Sequence, residues 1–178
     1  ADKECRIGEV RIKGAHRLSK EQLAEVKAVI AETEFLPKRV VFIEGRTDYH
    51  GITKDMGQTV QIGTKHIGEL ADLGTVDKSL KGLLRHEMGH VFAATQGVPQ
   101  SISDSDEFRQ AASKLSEVAA ADKDEAVAEF YAAHKGGIAG VPEGLKNWFD
   151  SHQVKPYVAN AGDNCGTGSG GFQPGNTC

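Results

Sequence analysis

Apolar residues recur at three- and four-residue spacing along most of this chain and alternate with polar ones only in short stretches of its first half. The first helical pattern runs from about Ser19 to Glu34. Leu23, Val26 and Ile30 share a face there, Ser19 and Gln22 fit a capping box, and Pro37 breaks the chain afterwards. Residues 39–43, Arg-Val-Val-Phe-Ile, read as a buried strand ended by Gly45. Residues 58–62 read as a second strand, bounded by Gly57 and Gly63. Val60 and Ile62 fall on one face and Thr59 and Gln61 on the other, the pattern of a half-covered strand at a sheet edge.

A long helix is predicted from about Asp77 to Gln96, stopped by Gly97 and Pro99, with Leu80, Leu83, Leu84, Val91 and Ala94 on its buried side. Another starts at Ser103 or Asp104 and carries Phe108, Ala111, Leu115 and Val118. A fourth helix begins at Asp122 and runs to Gly136-Gly137. Pro142 sits in the first turn of a short last helix with Leu145, Trp148 and Phe149. From about Asn160, Gly, Ser, Asn and Thr dominate, and the segment reads as a flexible tail without a core of its own. The expected organisation is therefore an α+β domain over residues 1–158, with a small mixed sheet and a helical C-terminal part, followed by a Gly/Cys-rich tail over 159–178.

Composition narrows the function classes. The 178 residues carry a formal net charge of -4 with basic and acidic residues interspersed, so a nucleic-acid-binding stripe has no support. No stretch approaches the roughly 18 apolar residues that span a bilayer, and the polar N-terminus does not read as a signal peptide. The expectation is a monomer acting on a protein or peptide, with no nucleic acid and no membrane. Cys165 and Cys178 enclose a short Gly-rich loop and can pair in an oxidising environment; the alternative is that they and Cys5 are free thiols in the chain ends.

The long helix holds the chemistry: His86-Glu87-Met88-Gly89-His90 is an H-E-x-x-H motif. Residues four apart differ by about 40° around a helix, so both imidazoles project from one face and can bind one Zn²⁺. Glu87 sits to the side, placed to act as general base. Gly89 costs about 1 kcal/mol inside a helix, and close approach of another backbone would explain it.

A catalytic zinc needs a third protein ligand. Glu125 and Glu129 both lie on the helix that begins at Asp122. Glu125 fits a capping box with Asp122, whereas Glu129 has no capping role and lies among alanines. Glu129 is therefore the expected third ligand, with Glu125 a supporting neighbour behind it. His134 is the alternative ligand, or a charge at the helix end. His16, His50, His66 and His152 have no metal-ligand spacing, and Tyr131, two positions after Glu129, points away. Tyr157 either folds over the site to take part in catalysis or anchors a late loop.

These residues resemble a family. His86-Glu87-x-x-His90, followed by the helix with Glu125-x-x-x-Glu129-Phe130, resembles the gluzincin zinc metallopeptidases, nearest to the group of the anthrax lethal factor catalytic domain and the Pro-Pro endopeptidases. The resemblance spans about residues 36 to 136. It implies a zincin-like fold, with an edge strand packed on the active-site helix, and a metalloendopeptidase activity using one Zn²⁺. It also implies a substrate strand paired with the strand between Gly57 and Gly63. One departure stands out: the family's tyrosine seven residues before the ligand glutamate is Asp122 here. The tail resembles Cys/Gly segments of phage-associated polyproteins. Three readings follow: an active peptidase, a non-catalytic zinc-stabilised interaction module, and a maturation protease within a larger polypeptide. Secreted and virion-associated settings suit them equally.

Overall fold

The computed structural model describes residues 3–45, 50–65, 67, 74–152 and 163–166. Among these residues it is a mixed α+β structure in which a five-stranded sheet and seven α-helices enclose one core. The strands are β1 (Glu4–Ile7), β2 (Val10–Lys13), β3 (Arg39–Ile43), β4 (Gly51–Lys54) and β5 (Thr59–Gly63), in the sheet order β1-β2-β3-β5-β4. Pairs β2–β3 and β3–β5 are parallel; the two outer pairs are antiparallel hairpins. The helices are α1 (Lys20–Glu32), α2 (Leu80–Gln96), α3 (Gln100–Ser103), α4 (Asp106–Leu115), α5 (Glu117–Ala121), α6 (Lys123–Lys135) and α7 (Glu143–Asp150).

Local chemistry sets most of these boundaries. Ser19 caps α1 with the full reciprocal box to Gln22. Ser79, Ser105, Ser116 and Asp122 cap α2, α4, α5 and α6 through their side-chain oxygens. The pattern expected to run as one helix through Val118 is broken at Ser116, an extended residue that ends α4 and caps α5. Val40, Phe42, Val60 and Ile62 from the central strands meet Val26 and Ile30 of α1 and Leu84, Met88 and Val91 of α2 in the core. Burying each such side chain stabilises by about 1.5–3 kcal/mol.

Three expectations need correction. First, β1 and β2 form a hairpin that the hydrophobic pattern does not announce. Its two-residue turn places Gly8 at φ 61, the left-handed start that a tight hairpin favours. Second, β5 is not an edge. β4 covers it, so Thr59 is buried and Gly51–Lys54 becomes the free edge beside α2. The β4–β5 loop holds Asp55 and Met56 at φ 57 and Gly57 at φ 87. A left-handed backbone costs a residue with a side chain about 1–2 kcal/mol.

Third, part of the expected tail is docked. A disulfide joins Cys5 to Cys165, not Cys165 to Cys178, and Cys165 is buried. Asn164 pairs with the free edge of β1, its N–H donating to the Arg6 carbonyl at 2.9 Å and its Oδ1 accepting from the Arg6 N–H at 2.6 Å. Asp163 faces Lys27 at 3.5 Å. The Gly-rich composition hid these contacts because the anchors are a backbone edge and a cysteine 160 positions away. Such a bond contributes about 2–5 kcal/mol. The rest of the expected tail, Cys178 included, lies outside the described residues.

Candidate metal centre

Helix α2 is buried on nearly every side, from Leu80 through Phe92. The sheet and α1 cover one flank and α6 covers another. Gly89 is where α2 and α6 come closest. A Cβ there would stand 2.8 Å from the Ala128 Cα and 2.9 Å from the Tyr131 Cβ, so only glycine fits without displacing α6. The close backbone approach expected from the motif is present, and it brings the carboxylates of α6 to the imidazoles of α2.

His86 and His90 project together, with ring centres 5.0 Å apart. The Oε1 of Glu125 lies 2.8 Å from the Nε2 of His86 and 3.2 Å from the Nε2 of His90. One ligand atom from each of these three residues falls within 4.8 Å of the others, so the cluster can hold a metal ion. Ligand atoms in a tetrahedral site with bonds near 2.0–2.2 Å lie about 3.3 Å apart. The two Glu125 contacts, at 2.8 and 3.2 Å, are close to that spacing, and the Glu125 side chain is 41% exposed, so it has room to adjust.

Glu129 occupies a different place from the one the sequence suggested. Its carboxylate is 1% exposed and accepts the Nδ1–H of His86 at 2.8 Å, on the ring edge opposite Nε2. The Val76 N–H and the Ser116 hydroxyl both donate to its other oxygen at 2.7 Å. The two glutamates thus exchange the expected places: Glu125 joins the cluster and Glu129 stands behind His86. Asp122 does accept from the Glu125 N–H at 3.0 Å, but the Glu125 side chain turns to the histidines instead of back to the helix start. A carboxylate buried among alanines did need a partner; it found one imidazole edge, one hydroxyl and one backbone N–H.

Glu87 is 4% exposed and points to β4. The Thr53 hydroxyl donates to its Oε1 at 2.7 Å. A Cβ on Gly51 would come within 3.2 Å of its Oε2, so the glycine leaves room for that oxygen. Burial raises the Glu87 carboxyl above the ordinary carboxylate range, while His86, His90 and the Thr53 hydroxyl pull it back. Burial presses the His86 imidazole down, but hydrogen bonds to Glu125 and Glu129 outweigh it and it is pushed up to about 10. The same contacts, from His86 first and then His90, hold Glu125 far below its usual range.

His86, Glu87, His90 and Glu125 share a cavity of about 540 Å³ with Thr53 and Met56 of the β4 hairpin. His50, which has no metal-ligand spacing in the sequence, also lines it. His134 lies elsewhere, with its Nε2 2.7 Å from Asp150 and its ring stacked on Phe149. His152 packs among Phe35, Phe92 and Trp148. Tyr131 points away as expected, its hydroxyl donating to Glu34 at 2.6 Å. Tyr157 and His66 lie outside the described residues. Thr53 and Ser116 had no sequence signal: one sits on an unread strand, the other in a helix read as continuous. No family model, curated protein or solved structure matches this chain.

Proposed function

We propose that this chain is a zinc-dependent endopeptidase, with His86, His90 and Glu125 as metal ligands and Glu87 as general base. The observation that carries the reading is the convergence of two imidazole Nε2 atoms and one carboxylate oxygen at a cavity that also exposes a desolvated glutamate. The donor set fits zinc, because two histidines and one glutamate with an open side are a usual catalytic zinc environment. The resemblance to gluzincins is retained with Glu125 in the place of the ligand glutamate. Seven positions before Glu125 stands Val118, so the family's tyrosine is missing in this register too.

When bound, zinc supplies a Lewis acid for the scissile carbonyl and makes water a better nucleophile. The protein's own groups do the rest. Glu129 holds the Nδ1–H of His86, which fixes the tautomer and turns Nε2 toward the cluster. Thr53 occupies Oε1 of Glu87 and leaves Oε2 to accept the proton of the attacking water. Glu87 then returns that proton to the leaving amine. Gly89 keeps α6 close enough for Glu125 to reach both histidines.

The test is metal quantification beside cleavage of a peptide library, on wild type and Glu87→Gln. The expected result is one zinc per chain in both proteins and turnover only in the wild type. A zinc-loaded wild type that cleaves nothing would leave a metal-stabilised module and overturn the peptidase reading.

A further inference from the structure

Met56 is 89% exposed, against 42% for Leu36 and 36% for Ile52, the other exposed large apolar residues among those described. It is also held at φ 57, a conformation that favours glycine or asparagine. Nothing in the fold needs a methionine here. The contact that seats the hairpin on α2 is made by its neighbour: Gly57 is buried, and a Cβ on it would lie 3.2 Å from the Ala94 Cβ. Asp55, on the other side, reaches Arg39 at 3.7 Å. The hairpin is therefore fixed by the residues flanking Met56, and it presents an apolar side chain in a strained backbone to open space.

That space is the cavity of the candidate metal centre. Met56 lines it, and so do the apolar Ala94 and Val118; its neighbour Gly57 rests against Ala94. We infer that Met56 forms an apolar subsite of this cavity and selects peptides carrying a large apolar side chain about two residues from the bond to be cleaved. The inference rests on the peptidase reading and deepens it. The spacing follows from α2. Ala94 lies one turn beyond His90, about 6 Å along the axis, and an extended peptide advances about 3.3 Å per residue. A thioether side chain with three rotatable bonds adapts to several apolar partners, so the selection is for size and apolarity over a single residue type.

The test compares wild type with Met56→Gly, a change that relieves the left-handed backbone and should not unfold the protein. Two peptide sets are used, alike except for Leu or Phe against Ser or Asn at the varied position. Cleavage is measured as kcat/KM, and binding by fluorescence polarisation. Wild type should favour the apolar set about tenfold in both measurements, and Met56→Gly should lose most of that ratio. Met56-dependent binding of the apolar set without any cleavage would sink the peptidase reading and leave the subsite standing. Cleavage with a ratio unchanged in Met56→Gly would overturn the subsite and leave the peptidase reading intact. Absence of both binding and cleavage would overturn both.

Discussion

Two charged clusters tie α2 to its surroundings, through the neighbouring residues Arg85 and His86. On one side, Arg85 of α2 grips Glu32 at the end of α1 with two hydrogen bonds, at 2.7 and 3.1 Å. Close by, Lys135 and Tyr131 of α6 both reach Glu34, at 2.7 and 2.6 Å. Burial first, and then the charge of Glu34, raise the Tyr131 hydroxyl well above its usual range, so it stays a donor. On the other side, His86 and His90 face Glu125 and Glu129. Both clusters balance carboxylates near the same helix. In the first, the positive charge is built in and permanent, and the group is complete. In the second the partners are imidazoles, whose charge comes and goes with a proton and which can bind a divalent cation when neutral. The contrast teaches that what suggests a metal site is not the number of acidic groups but the choice of partners that can give up their charge.

The sharpest way to break the contrast is to remove a carboxylate from each side. Glu125→Ala should lower zinc affinity by about 10³-fold or more, because two protein ligands are too few for a catalytic site. The fold should persist, since this side chain is partly exposed. Chelator competition and thermal melting measure the two effects. Retention of zinc by this variant would disprove its place in the cluster. Next in size, Glu87→Gln should reduce turnover by about 10²-fold or more with zinc retained, read from steady-state kinetics on metal-loaded protein.

Glu129→Gln should weaken zinc binding by about 10–100-fold without abolishing it, as expected for a group that orients a ligand. This reverses the order that the capping pattern suggested, and the ranking of the two glutamate variants in one competition assay decides it. On the permanent side, Arg85→Ala should cost about 1–3 kcal/mol in urea unfolding, because Glu32 loses a charged donor. Zinc affinity should be unchanged. If Arg85→Ala also lost the metal, the two clusters would be one network. The smallest effect is expected for Lys135→Met, about 1 kcal/mol, since Tyr131 still donates to Glu34.

The parts of the fold that were legible in the sequence were those written locally. The caps at Ser19 and Asp122, the glycine and proline stops, and the helical spacing of α1, α2 and α6 depend on residues within a turn of each other. The i, i+4 histidines belong to the same class, and so does the glycine between them. What escaped depends on distant partners. β4 is four residues with a glycine and a lysine, and its strand character comes from pairing with β5. The assignment of Glu125 and Glu129 could not be settled from one helix, because both lie on the same face. Their roles were fixed by Ser116 and Val76, which lie 13 and 53 positions from Glu129.

The Cys5–Cys165 bond carries a last consequence. It turns most of the polypeptide into a covalent ring, so one nick between those two residues opens the ring without releasing a fragment. For a protein proposed to hydrolyse peptide bonds, this matters at the bench. Self-inflicted damage inside the ring would leave the mass of the chain altered only by one water and its migration on a non-reducing gel nearly intact. Only after reduction would the pieces separate, and the history of each molecule become readable.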